Sequence, residues 1–170
     1  SGDFFLSNGT NLNIETHKKI FDLNAGGPKL TGEKTILHNG TEDTSYLINA
    51  TDLLKGFTDL DGDTLSVKNL NANNGTLVDN GNNTWTFTPN ANYNGKVDLT
   101  YDVSDGFDNT SATSSFNLAP VNDAPVNNGT VTFPAIDEDN SLTVSKEQLL
   151  AYTRDPDGDP ISISNLHVRE

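Results

Sequence analysis

Two five-residue runs hold the densest chemistry in the sequence, Asp59-Leu60-Asp61-Gly62-Asp63 and Asp155-Pro156-Asp157-Gly158-Asp159. Each begins 17 residues after the start of an acidic pair, Glu42-Asp43 for the first and Glu138-Asp139 for the second. Oxygen-rich clusters of this kind suit calcium, which takes about six to eight hard oxygen ligands and tolerates irregular geometry. Alternate side chains of an extended segment point the same way, so Asp59 and Asp61 can converge while Leu60 faces elsewhere. Gly62 frees the backbone to turn. An EF-hand is excluded, because its loop needs Gly at the sixth position and a bidentate Glu at the twelfth. Counted from Asp59, Gly is fourth and the twelfth residue is Leu70. The competing reading is that Asp and Gly are here only because they favour turns. Recurrence of the acids together in both runs, while many neighbours change, speaks for the metal.

The remaining reactive residue types give weaker signals. His17, His38 and His167 share no spacing with one another or with a nucleophile, so neither a zinc site nor a catalytic triad is indicated and no enzyme is expected. Asn-x-Ser/Thr sequons at Asn8, Asn39, Asn49, Asn74, Asn82, Asn109 and Asn128 would mark glycosylation in a secreted eukaryotic protein and otherwise read mostly as Asn-Gly-Thr turns. Trp85 alternates with threonines, which fits a core or half-buried strand position better than a sugar-stacking platform.

The elements that position these acids follow from a repeat. The segment from Glu42 to Leu70 recurs from Glu138 to Leu166, a period of 96 residues, with 12 of 29 aligned positions identical and no gap. A period near this length means tandem domains rather than a short-period solenoid. Within the first copy, strand signals fall at Thr35 to Leu37, Ser45 to Asn49, Thr64 to Leu70, Thr76 to Asp79, Thr84 to Thr88, Lys96 to Val103 and Thr113 to Leu118. In the sixth, Val97, Leu99 and Tyr101 alternate with Lys96, Asp98, Thr100 and Asp102, the period of a half-buried strand. Seven short strands separated by Asn, Gly and Asp turns describe an all-β, seven-stranded Greek-key sandwich, here in repeats. Asp79-Asn80-Gly81-Asn82 reads as a tight hairpin turn. Ala50 to Phe57 reads as one helical turn, with Lys146 to Leu150 as its counterpart.

Three units are expected: 1–28 as the closing hairpin of a preceding or split repeat, 29–121 as a complete sandwich, and 122–170 as the N-terminal part of a second. The hairpin would run from Phe4–Leu6 through the turn Ser7-Asn8-Gly9-Thr10 to a strand containing Ile20, Phe21 and Leu23. The partial repeat would contribute strands at Val131–Phe133, Leu142–Ser145 and Ile161–Leu166. A lone partial sheet is seldom stable in water, so the hairpin is expected to complete it, within the chain or by a domain-swapped self-association.

Composition narrows the function further. With 24 Asp and Glu against 10 Lys and Arg, the net charge is -14, which repels nucleic acid and anionic membranes and leaves cations as natural partners. There is no cysteine, so neither disulfides nor thiolate metal sites contribute. No apolar run is long enough to span a membrane, and no signal peptide is read at the N-terminus.

Tyr101-Asp102-Val103-Ser104-Asp105-Gly106 closes one predicted strand, and Val121-Asn122-Asp123-Ala124-Pro125 links the two copies. Together with the Asp-x-Asp-Gly-Asp turns, these elements resemble the cadherin-like tandem repeats of large bacterial surface proteins, including repeats-in-toxin adhesins, over residues 33 to 170. The resemblance implies calcium (Ca2+) at the domain junction, held by Asn122 and Asp123 of the linker, Glu42 of the first domain, and Asp155 and Asp157 of the second. Glu138 would serve that junction or the next, and Asp105, in the matching strand end, is a further expected metal ligand. The earlier junction, Ala25-Gly26-Gly27-Pro28, lacks the Asn-Asp pair and would draw on Glu42, Asp59 and Asp61. Pro120 stands where the cadherin linker begins with Asp, and Asn90 to Asn94 occupy the place of the Leu-Asp-Arg-Glu element, which implies fewer ions per junction. The resemblance further implies an extracellular, calcium-stiffened extender on a bacterial cell surface, with neighbouring repeats as its partners. The alternative is a glycan- or peptide-binding module of such an adhesin.

Overall fold

The alternation from Lys96 to Val103 becomes β10 (Gly95–Ser104), in which Val97, Leu99, Tyr101 and Val103 are buried while Lys96, Asp98 and Thr100 face solvent. The computed structural model describes residues 4–5, 11–12 and 26–167. On one side β10 pairs antiparallel with β11 (Asn109–Ala119), which sets Val97 opposite Phe116 and Tyr101 opposite Ala112. On the other it pairs with β7 (Ser66–Ala72), with Val103 opposite Val67 and a bulge between Thr100 and Asp102. The short β4 (Gly40–Thr41) runs parallel to the end of β11 and completes a four-stranded sheet. A second sheet has the order β5 (Tyr46–Asn49), β9 (Thr84–Pro89), β8 (Gly75–Asp79), with Tyr46 and Leu77 both opposite Phe87.

The chain crosses between the sheets from β7 to β8 and back from β9 to β10, so residues distant in sequence meet in one core. Phe87 meets the Phe116 ring edge-on at 5.6 Å, and Phe116 stacks on Tyr46 at 4.1 Å. Each fully buried apolar side chain contributes about 1.5–3 kcal/mol relative to exposure. The molecule is therefore the all-β sandwich that the strand pattern describes. Trp85 is half-buried against this core. Gly81 and Asn83 supply the positive φ of the turn between β8 and β9.

Ala50 to Leu54 form one helical turn, α1, between β5 and β6 (Phe57–Thr58). The Tyr101 hydroxyl donates to the Leu53 carbonyl at 2.9 Å, satisfying a carbonyl that the short helix leaves open. Tyr101→Phe should cost about 1–2 kcal/mol, because the carbonyl loses its partner in a buried place. Urea unfolding of the variant checks this, and an unchanged midpoint would contradict it.

Four strand expectations require correction. Thr35–Leu37 is not a strand, although Leu37 is buried. The chain leaves β3 (Lys29–Leu30), which pairs with β6, and joins β11 only at Gly40, so the intervening segment changes partner and has no ladder of its own. In the second copy, Val131–Phe133, Leu142–Ser145 and Ile161–Leu166 form no strands either. The first-copy counterparts of the last two are β5 and β7, which exist through their ladders to β9 and β10. No second-copy counterparts of β9 and β10 lie within the 170 residues. Extended backbone without a ladder is not a strand.

Several features of the second copy that depend on local interactions do recur. The pair β3·β6 returns as β12 (Val126–Asn127) with β13 (Thr153–Arg154). The bond from Thr31 N–H to the Gly56 carbonyl returns as Asn128 to Tyr152, the first strands of the two pairs being 97 residues apart and the second strands 96. Positive φ at Asp43, Gly62 and Asn69 returns at Asp139, Gly158 and Asn165. The helical turn α1 returns as α2 (Lys146–Leu149), closed by a capping box between Ser145 and Gln148. At the N-terminus, β1 (Phe4–Phe5) pairs with β2 (Asn11–Leu12). The expected strand through Ile20, Phe21 and Leu23 lies outside the described residues. Among those residues no ladder joins β1 and β2 to the second copy. No helix among the described residues is long and apolar enough to cross a membrane.

Candidate metal centre at the junction of the two copies

The sandwich has two ends, separated by the length of β10, about 30 Å at the rise of an extended strand. Gly95, Leu118 and Thr41 mark one end, and Glu42 lies there, its N–H donating to the Ala119 carbonyl at 3.0 Å. Asp59 to Asp63 lie at the other, between β6 and the start of β7, where Ser66 is opposite Ser104. Glu42 therefore cannot share an ion with Asp59 and Asp61 of its own domain, which corrects the expectation for the earlier junction. Its partners come from the linker and from the second copy.

Glu42 is 1% exposed. One carboxylate oxygen, Oε1, accepts the Val121 N–H at 2.6 Å, and Oε2 accepts from Asn94 Nδ2 at 3.3 Å. Two residues on, the Asp123 N–H donates to Asp157 Oδ2 at 2.6 Å. The linker is thus clipped by one carboxylate from each copy. Asp157 is placed for this by an Asx turn in which Asp155 Oδ1 accepts the N–H groups of Asp157 (3.0 Å) and Asp159 (3.2 Å). Asp59 makes the same turn, accepting from Asp61 (2.9 Å) and Asp63 (3.2 Å). Alternation brought the right acids to one end, but it is this Asx turn that orients them.

Asp123 is the centre of the cluster. Its Oδ2 is buried and has no hydrogen-bond partner. Desolvation first, then the charges of Asp43, Asp157, Glu42 and Asp155, push its carboxyl above the usual range. A carboxyl raised in the folded state adds stability below its ordinary pKa, and that stability is lost as pH rises through the raised value. At neutral pH the junction therefore carries negative charge that it does not itself compensate, and a buried acceptor without a donor. Among the described residues no three Asp, Glu, His or Cys side chains close on a single point. The carboxylates are gathered around Asp123, and a cation there would have to draw them in. The donor set, hard oxygens with an orphaned carboxylate oxygen at its middle, fits calcium.

The family model for the cadherin-like domain matches residues 26–119 and again 121–170. The chain belongs to the cadherin-like domain family. The two cadherin-like matches meet at Pro120, so Val121 and Asp123 lie at the start of the second. No curated protein matches the chain. Solved structures similar to it include an endo-fucoidan hydrolase, MfFcnA4, from glycoside hydrolase family 107, at 23% identity and a TM-score of 0.39 over 56% of this chain. A single-substitution variant of the same enzyme matches at 22% and 0.40 over 57%. This chain spans 14% of the length of either of those proteins.

The other expected ligands of this cadherin-like chain are placed differently. Asn122 is exposed and its amide donates to the Asp123 carbonyl at 3.2 Å. Glu138 is exposed in a turn and is not among the charges acting on Asp123, so it does not join this junction. Asp105 Oδ1 accepts the N–H groups of Phe107 (2.7 Å) and Asp108 (2.6 Å), which hold its carboxyl below the usual range and make it a turn former. Two contributors escaped the sequence reading. Asp43, held at positive φ with Oδ1 accepting the Asn92 N–H at 3.0 Å, is the largest charge influence on Asp123 after desolvation. Asn94, from the segment at the place of the absent Leu-Asp-Arg-Glu element, supports Glu42. The acidic pair was visible, but which of its members faces the linker depends on the turn at Asp43.

A shallow depression on the outer face of the four-stranded sheet is lined by Asn69, Thr100, Asp102, Ser111 and Thr113. Its one carboxylate is held within the depression, since Asp102 accepts from Asn69 and Ser111 at 2.8 Å each.

Proposed function

We propose that this cadherin-like pair is an extracellular calcium-binding extender, of the kind found in repeats-in-toxin adhesins on bacterial surfaces, and that calcium at the Asn122–Asp123 linker makes it stiff. The observation that carries this reading is the orphaned, buried Asp123 Oδ2 surrounded by Glu42 and Asp43 of one copy and Asp155 and Asp157 of the other. The ion would be held by Asp123, Asp155, Asp157 and the acids of the Glu42–Asp43 pair, with linker carbonyls and water completing its shell. It supplies the positive charge that lets these carboxylates approach one another, so the angle between the copies becomes fixed. Nothing in this role calls for an enzyme. Neighbouring repeats are the direct partners, and any glycan or peptide ligand belongs to the parent adhesin.

Small-angle scattering of the whole chain in EDTA and in millimolar calcium tests the reading. Affinity is expected on the order of 0.1–1 mM, as for extracellular modules. Calcium should lower the spread of interatomic distances and sharpen the long-distance limit, and superimposable profiles would count against the extender.

A further inference from the structure

The repeat allows the two ends of the complete sandwich to be compared residue by residue. Just after the linkers, Lys29 and Leu30 face Thr58 and Phe57 while Val126 and Asn127 face Arg154 and Thr153, so Gly26 and Gly27 are the counterparts of Asp123 and Ala124. Both ends present the same Asx turn, at Asp59 upstream and at Asp155 downstream. The wall opposite the turn is not the same. Downstream it carries the unpartnered carboxylate of Asp123. Upstream the matching residue is Gly26, at φ 107°, which carries no side chain, and at the next residue, Gly27, a Cβ would lie 2.7 Å from Asp108 Cβ, so Asp108 fills the space beside this linker. Asp108 cannot readily yield, because its N–H is bound by Asp105 Oδ1 and its carbonyl accepts the Asp105 N–H at 3.3 Å. The Pro28 carbonyl, an oxygen of the type that linkers offer to calcium, accepts the Thr110 hydroxyl at 2.5 Å. Lys29, paired with Thr58 immediately before Asp59, lays its Nζ 3.4 Å from the position a Cβ on Gly26 would take. The Lys29 ammonium thus lies beside the linker position that Asp123 holds in the other copy.

We propose that calcium acts at only one end of the complete sandwich: the downstream junction takes the ion, and the upstream end, with Gly26-Gly27-Pro28 as its linker and Lys29 as its cation, is metal-independent. This contrast rests on the calcium reading of the downstream junction.

Calcium titration calorimetry on the full chain tests it with Asp61→Asn and Asp157→Asn, isosteric changes at matching positions of the two turns. Asp157→Asn should weaken calcium binding at least tenfold, whereas Asp61→Asn should leave stoichiometry unchanged and affinity within about twofold of wild type. Loss of a calcium equivalent in Asp61→Asn, or equal weakening in both variants, overturns the contrast while leaving the downstream site standing. Absence of calcium uptake by the wild type would instead overturn the downstream reading, and the contrast with it.

Discussion

Replacing Asp123 with asparagine should abolish the rise in melting temperature that calcium produces in the parent chain. A ligand that binds only the folded form stabilises it by mass action, about 1.4 kcal/mol at ten times its Kd, which is a shift of several degrees for a domain of this size. Asparagine keeps the shape of the side chain and removes the charge at the centre of the cluster. In EDTA the variant should melt at the same temperature as the parent or slightly above it, because the charges of Asp43, Asp157, Glu42 and Asp155 no longer act against a fifth carboxylate. Calorimetric melts with and without calcium separate the two effects. An equal calcium-induced rise in parent and variant would mean that Asp123 is only a linker residue.

The second large effect lies in the core. Phe87 is fully buried between the sheets, edge-on to Phe116 and opposite both Tyr46 and Leu77. Gly75 packs so tightly on its ring that a Cβ there would lie 2.5 Å from two ring carbons. Phe87→Ala should cost about 3–5 kcal/mol, through lost burial and the cavity left behind. That is a large part of the roughly 5–15 kcal/mol available to a domain. Trp85, two residues away on the same strand, reports the transition by fluorescence during urea unfolding. A loss below about 1 kcal/mol would show that the core collapses around the gap, against the packing described.

The parts of this molecule that could be read in the sequence are those fixed by local pattern. Alternation located β5 and β7 through β11, because a half-buried strand must alternate whatever it pairs with. The Asx turns, the helical turns and the positive φ at Asp43, Gly62 and Asn69 recur with the 96-residue period even though the second copy pairs only β12 with β13. What could not be read were statements about partners. Leu142–Ser145 and Ile161–Leu166 carry the same alternation as β5 and β7, yet lack the strands that would hold them. Thr35–Leu37 delivers Leu37 to the core without a ladder.

The candidate site divides along the same line. Its membership on the second-copy side, Asp155 and Asp157 with Asp123, followed from the repeat and the linker. Spacing alone could not show that Glu42 and Asp59, 17 residues apart, sit at opposite ends of the sandwich. Nor could it show that Asp43 bears on the linker, since that depends on a left-handed residue in a turn. Asp105 looked like a ligand by type, and is instead occupied by two backbone N–H groups.

The most direct measurement is a crystal structure of the chain grown in calcium, with data collected at a wavelength where calcium scatters anomalously. The account predicts an anomalous peak within about 2.3–2.6 Å of Asp123 Oδ2, with carboxylate oxygens of both copies in its shell. Crystals from saturating calcium in which Asp123 Oδ2 has no such peak would contradict it.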